Sequence, residues 1–177
     1  LSLHDALPIC HYVDLVAEGV DVAIRAGSLK DSTLIAKAVG MARWVPFASP
    51  DYLASAPPLD SPQALRHHCC LQFTPLGKES WTLNVPAGSV TVPLPGLVMI
   101  NDVRVIRAMT LAGEGVALLP AYLCRAECAA GSLQRLLPAW HAKADPVHLV
   151  YPRQRFMPPK LRAFIDLAGE VLAGCLE

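Results

Sequence analysis

At 177 residues, 53% hydrophobic and only 17% charged, the chain is long enough to bury a core and too apolar to be disordered. Fifteen basic residues balance fifteen acidic ones, leaving no basic excess with which this stretch itself would grip nucleic acid. No apolar run is long enough to cross a bilayer, no basic leader opens the chain and the six cysteines are scattered, so a cytoplasmic location is expected.

Residues 1–9 back-translate to the end of a widely used sequencing adapter and are set aside as a suspected artefact. Beyond them, Val13, Leu15 and Val16 give residues 12–18 the apolar side of a helix, and Gly19 suits a left-handed C-terminal cap. Residues 20–24 are mostly apolar on both faces, as in a strand covered by helices. That strand ends at Arg25, Ala26 and Gly27. In open α/β sheets ligands gather at the carboxyl ends of strands, so this end is the first candidate site.

Residues 34–39 read as a strand stopped by Gly40, and residues 43–49 as a second extended run, because Pro46 is hostile to a helix. Ser49 and Pro50 then start a short helix, and Pro57 and Pro58 break it. A second short helix follows Ser61, then a strand over residues 69–73 and a hairpin over 81–85 and 89–92. Residues 97–100 form a strand, and Asn101 and Asp102 cap the helix that follows. Val103, Ile106 and Met109 recur at helical spacing, and residues 116–119 return as a strand parallel to 97–100. Pro120 opens another helix, residues 133–137 form an edge strand and residues 146–151 a buried one. In the last helix Leu161, Phe164, Ile165, Ala168 and Leu172 make one apolar stripe. Strands alternating with helices indicate an α/β protein.

Taken together, the stretches Asp14-Leu-Val-Ala-Glu-Gly-Val-Asp-Val-Ala-Ile-Arg-Ala-Gly27, Ser49-Pro-Asp-Tyr-Leu53, Asn101-Asp102 with Leu111-Ala-Gly-Glu-Gly-Val-Ala-Leu-Leu-Pro120, and Pro158-Pro-Lys-Leu-Arg-Ala-Phe-Ile-Asp166 carry a resemblance. From about Cys10 to its end the chain resembles the effector-binding domain of a LysR-type transcriptional regulator. The resemblance implies a two-lobed, periplasmic-binding-protein-like (type 2) α/β fold holding a small molecule between its lobes. It implies a cytoplasmic homodimer or tetramer that reaches promoter DNA only through an N-terminal winged helix-turn-helix. That segment, a linker helix and the first strands and helix of the first lobe have no counterpart in this chain, so the first lobe is expected to be incomplete. Residues 10–47 and 147–177 would form its remainder and residues 48–146 the second lobe. The helix over residues 103–112 is a candidate dimer surface, or its apolar side is simply core. A solute-binding protein of the same fold is the alternative.

The candidate effector-binding residues are Arg25, Ala26, Gly27, Ser49, Asn101 and Asp102. A guanidinium at Arg25 can hold a carboxylate effector in a bidentate pair, or serve a structural ion pair. Asn101 and Asp102 precede a helix N-terminus, which favours anions, although Asp102 repels them and fits a cap equally well. Ser49 either caps or offers its hydroxyl to a ligand. No cofactor, metal site or catalytic residue is expected: there is no G-x-S-x-G, phosphate-cradling loop or H-E-x-x-H. The one cluster of ligating side chains is His67 and His68 beside Cys69 and Cys70, and it lacks zinc spacing.

Overall fold

A computed structural model describes residues 15, 17–29, 33–76 and 79–176. Residues 1–9 and most of the expected opening helix lie outside the described residues. Residues 15 and 17–19, at its expected end, are described as a turn. Gly19 takes φ +64° and the Val20 N–H donates to the Leu15 carbonyl at 2.9 Å, the features of a Schellman stop.

The elements follow as β1 (Ala23–Ala26), β2 (Leu34–Ala48), α1 (Pro50–Ser55), a tight helical turn (Pro62–His67), β3 (Cys70–Phe73), the hairpin β4 (Ser80–Val85) and β5 (Gly88–Pro93), and β6 (Val98–Ile100). Then come α2 (Val103–Leu111), β7 (Val116–Pro120), a tight turn (Ala121–Cys124) leading into α3 (Arg125–Ala129), β8 (Gln134–Arg135), β9 (Lys143–Pro152) and α4 (Pro159–Leu176).

The two strands expected over residues 34–39 and 43–49 are one. β2 runs unbroken for 15 residues, about 50 Å at ~3.3 Å per residue. Gly40, expected as a stop, instead marks a β-bulge, where the register with β9 steps from Ala38↔His148 to Gly40↔Val147. Pairing then continues to Trp44↔Lys143. A glycine inside an apolar run signals a bulge as well as a stop, and only the long-range partner distinguishes them.

The seven-stranded sheet has the order β1-β9-β2-β7-β3-β6, with β8 on β2 off this path. β9 lies antiparallel between β1 and β2, whereas β3 has β6 and β7 as parallel neighbours. β6 and β7 are therefore parallel, as expected, with β3 inserted between them. The edge strand expected over 133–137 shrinks to β8, because Leu133 and Leu136 turn into the core.

Along β2 the packing changes hands. Ala42 belongs to a cluster with Val147, Leu149, Leu161 and Ile165 under α4. Val45 and Phe47 pack with Ile106, Ala117 and Leu119 under α2. Ala48 joins a third cluster with Leu65, Leu118 and Trp81, which carries the hairpin. There the buried Trp81 indole donates to the Gln72 side-chain oxygen. On α2, Val103, Ile106 and Met109 all pack into the core, so the apolar stripe faces inward.

α4 buries Leu161, Ile165 and Gly169 against the β2–β9 pair. Phe164, expected in the buried stripe, is 56% exposed, as are Leu167 and Val171 to similar degrees. The reason is rotational. Asp166 pairs with Lys37 of β2 at 3.0 Å, and the Lys37 amine also lies over Gly169, which fixes the β2 flank of the helix. At about 100° per residue, Phe164, Leu167 and Val171 then turn away from the buried Leu161, Ile165 and Gly169 face into solvent. Ile24 of β1, opposite Leu149, is exposed too.

Replacement of Ile165 by Ala is expected to cost about 2–5 kcal/mol of unfolding free energy. Phe164→Glu is expected to change it by no more than about 0.5 kcal/mol. Urea unfolding followed by circular dichroism measures both, and equal losses would contradict this placement of α4.

Candidate functional site

β1 delivers Arg25, Ala26 and Gly27 to its carboxyl end. Arg25 is half-buried directly across from His148, Ala26 is opposite Val147, and the Gly27 N–H donates to the Pro146 carbonyl at 2.9 Å. Gly27 has φ +96°, which a β-carbon would strain, so glycine is required to turn the chain out of the strand here. A β-carbon on Gly27 would sit 3.8 Å from Asp145 Oδ1.

Asp145 leads across the sheet. Its carboxylate accepts from Trp44 Nε1 at 3.3 Å and pairs with Lys143 Nζ at 3.0 Å, so this nearly buried acid has a hydrogen-bond donor on one oxygen and a counter-charge on the other. Trp44 stacks on Phe73, with ring centroids 5.7 Å apart and planes 8° from parallel. Phe73 pairs with Ile100, the residue before Asn101. Gly27, Asp145, Trp44, Phe73 and Asn101 thus form one continuous arc from the end of β1 to the start of α2.

At the far end of the arc, Asp102 caps α2. Its Oδ1 accepts from the Arg104 N–H at 2.8 Å and its Oδ2 from Arg104 Nη2 at 2.7 Å. These hydrogen bonds from the Arg104 side chain and backbone pull the Asp102 carboxyl down to about 2. Asn101 is exposed, and its amide makes no hydrogen bond among the described residues. Of the two, Asn101 has its side chain available to a ligand and Asp102 is committed to the cap.

Ser49 is elsewhere. It is 2% exposed, and its hydroxyl accepts from the Tyr52 N–H at 3.3 Å as the cap of α1. Because β2 runs antiparallel to β7, Ser49 lies at the amino end of the parallel strands. There a β-carbon on Gly113 would come 3.6 Å from its hydroxyl. Asn101 follows the carboxyl end of β6, so α2 separates the two residues. Gly27 and Asn101 follow strands at opposite edges of the sheet and are linked only through this relay of contacts, in which Ser49 takes no part.

Sequence reasoning did not single out Trp44, Phe73, Lys143, Asp145 and His148. His148 Nδ1 is buried without a hydrogen-bond partner among the described residues, next to Arg25. Each of these residues enters through a cross-strand neighbour more than fifty positions away or through stacking, and no local spacing announces it. Lys143 and Asp145, two residues apart and so on one face of a strand, were the available signal.

The His–Cys cluster has a structural explanation. The Tyr52 hydroxyl contacts His68 Nδ1 at 3.1 Å and accepts from the Cys69 N–H at 3.2 Å. Burial pushes the Cys70 thiol up to about 12, far from a ligating thiolate. Burial does the same to Cys124, also to about 12. Among the described residues, no three His, Cys, Asp or Glu side chains gather as a metal site.

Residues 11–173 match the family described as the LysR substrate binding domain. The chain belongs to that family. It is similar to the HTH-type transcriptional regulator PtxR of Pseudomonas aeruginosa, 35% identical over 91% of this chain and 52% of that protein. It is also similar to the HTH-type transcriptional activator AaeR of Escherichia coli strain K12, at 30% over 86% and 50%. Among solved structures, the regulatory domain of CrgA, a LysR-type transcriptional regulator from Neisseria meningitidis, superposes with a TM-score of 0.76 at 31% identity, over 92% of this chain and 80% of that one. The regulatory domain of AphB from Vibrio vulnificus gives 0.75 at 32%, over 88% and 76%. The fold is therefore the two-lobed, periplasmic-binding-protein-like type 2 fold expected from the sequence. These relatives are transcriptional regulators, not enzymes, and the chain spans about half the length of the curated relatives it matches. No helix among the described residues is long and apolar enough to cross a membrane.

Two titrations test the local chemistry. Asp102 is expected to titrate near 2 by carboxylate NMR, with Arg104→Gln returning it toward the ordinary carboxylate range. Its folded-state value is depressed, so its capping contribution is present above about pH 4 and is lost as pH falls toward 2. An Asp102 midpoint unmoved by Arg104→Gln would refute the cause given. Burial, followed by the neighbouring His67, holds His68 below its ordinary 6.5. Neutral His68 therefore contributes stability above pH 6.5 that is lost as pH falls through the folded value. Thermal unfolding across that window should show a steeper loss for the native chain than for His68→Asn; parallel curves would remove His68 from the account.

Proposed function

We propose that the chain is the effector-sensing part of a LysR-type DNA-binding transcriptional regulator, and that it holds a small molecule between its lobes to control promoter binding. The observation that carries this is the arc from Gly27 to Asn101, in which Gly27, Phe73 and Asn101 stand at the carboxyl ends of β1, β3 and β6 and Trp44 and Asp145 join them, in a domain of this family. Arg25 supplies the positive charge at one end, Asn101 an amide at the other, and the backbone at Ala26 and Gly27 allows close approach. A carboxylate effector fits this set through the Arg25 guanidinium fork and the Asn101 amide, the N-terminus of α2 being taken by the Asp102 carboxylate. An occupant touching both ends would favour one arrangement of the lobes. Its leverage equals its difference in affinity for the two arrangements.

On this reading residues 10–47 and 147–177 belong to the first lobe and residues 48–146 to the second. The solved regulatory domains of CrgA and AphB are longer than the part this chain covers, by a fifth to a quarter of their length. The corresponding part of this regulator would cover the uncovered flank formed by Ile24, Phe164, Leu167 and Val171. DNA contact would belong to an upstream winged helix-turn-helix, consistent with the neutral charge of these residues. The regulator would be cytoplasmic and act as a homodimer or tetramer. With the apolar stripe of α2 packed inward, a dimer contact through that helix would use its outer side, at Arg104, Val105 and Ala108.

The test is ligand-induced thermal stabilisation with a panel of small carboxylates. Arg25→Gln and Asn101→Ala should each weaken the response by roughly tenfold in ligand concentration, the worth of a charge-assisted hydrogen bond. Ser49→Ala should leave the response intact while lowering stability by about 1 kcal/mol, as loss of a helix cap does. If neither Arg25→Gln nor Asn101→Ala alters the response to any ligand that stabilises the chain, the arc is not the effector site.

A further inference from the structure

A second binding site lies away from the arc. A cavity of about 360 Å³ opens along β2 at the bulge, within the size range of small-molecule pockets. β9 covers one edge of β2 along Leu34–Trp44, but β7 pairs the other edge only from Trp44 to Phe47. The cavity occupies the stretch of edge that β7 leaves open, at Val39, Met41 and Arg43. It is two strands away from β1, and none of Arg25, Gly27 or Asn101 lines it.

Its walls come from both halves of the molecule. One is the last turn of α4, through Ala173 and Leu176; the other is the turn after β7, through Ala121 and Tyr122. Gly40 makes the first wall possible, because a β-carbon there would fall 2.9 Å from the Leu176 β-carbon. Arg125 ties the walls together, donating from Nη1 to the Gly174 carbonyl at 2.8 Å, one of the acceptors a helix end leaves unpaired.

The polar groups at this cavity are donors. Arg43 and the Tyr122 hydroxyl make no hydrogen bond or ion pair among the described residues, and Arg135 uses Nη2 on the Pro138 carbonyl at 2.9 Å. Burial raises the Tyr122 phenol above its ordinary value, which keeps it a donor. Among the described residues that line the cavity none is acidic, and Arg43 and Arg135 stand beside the apolar Val39, Val45 and Leu176. A guanidinium fork recognises a carboxylate, and the floor accepts a compact apolar body.

We propose that this cavity binds a monocarboxylate with a compact apolar body, on the order of ten non-hydrogen atoms, as a second ligand separate from the one in the arc. The carboxylate lies between Arg43 and Arg135 with the Tyr122 hydroxyl donating to it, and the apolar body rests on Val39, Val45 and Leu176. Because its walls belong to α4 and to the turn after β7, an occupant sets their spacing and so acts on the lobe arrangement from the side opposite β1.

The experiment is isothermal titration calorimetry of the full 177-residue chain with 4-isopropylbenzoate, and with the amide and the benzylamine of the same shape. The acid should bind at least tenfold more tightly than the amide, and the amine should not bind. Arg43→Gln, at an exposed and unpartnered position that folding does not depend on, should weaken the acid roughly tenfold, and Arg135→Gln similarly. Ala173→Phe, which fills the cavity, should abolish binding in a chain whose circular dichroism is unchanged. Arg25→Gln should leave this binding as it is. Absence of heat at millimolar acid, equal binding of amide and acid, indifference to Arg43→Gln, or loss on Arg25→Gln instead would each overturn the proposal. None of these results except the last bears on the arc, whose own test uses Arg25 and Asn101.

Discussion

The antiparallel pairing of β2 with β9 is the constraint on which the rest depends. Ten register pairs, from Leu34↔Pro152 to Trp44↔Lys143, lock two segments about a hundred residues apart. A loop of that length is costly to close, and the ladder, together with α4 laid across it, must offset that cost. The bulge at Gly40 makes the pairing possible over its whole length. Without the absorbed residue, Ala42 would present the wrong face and either the α4 cluster or the α2 cluster would lose its strand.

From this ribbon the two halves take different cores and meet at one set of strand ends. Ala42 and Leu149 belong to α4, Val45 and Phe47 to α2, and the change occurs within three residues of one strand. Trp44 and Asp145 sit at that change. Their hydrogen bond spans β2 and β9, the Trp44 ring stacks on Phe73 in the second half, and the Asp145 carboxylate reaches toward Gly27 in the first. Where rigid packing clusters adjoin through so few residues, a ligand touching both sides has leverage on their relative position. The cavity beside Gly40 lies across the same change from the other edge of β2, so both sites bear on it.

Much of this was legible in the sequence because it is local. Ser49 with Pro50 announced a capped start and Asp102 a cap; each is decided within four residues, and the structure keeps both, while Gly19 takes the left-handed conformation a stop needs. The alternation in β4 and β5 gave the hairpin for the same reason. What failed was decided at long range. Gly40 looked like a stop because its partner, Val147, is far along the chain. Phe164 looked buried because a helical stripe shows which residues are apolar, while Lys37 on another strand decides which of them face the sheet. For the candidate site, strand-end logic picks out Arg25, Gly27 and Asn101 from positions at strand ends, whereas Ser49, in the same family pattern, lies at the other end of the parallel strands. The wall between the found residues, from Asp145 through Trp44 to Phe73, carries no motif at all. It exists only once the ribbon is paired.

Amide hydrogen exchange, resolved by residue, tests that dependence most directly. The account predicts that the β2 amides from residue 36 through 46 and their partners in β9 are the slowest in the chain and exchange together, across the boundary between the α4 and α2 clusters and through the bulge. Two separate protection levels with a fast-exchanging break at Gly40 would contradict it, since the halves would then be held by their own cores and the ribbon would merely connect them.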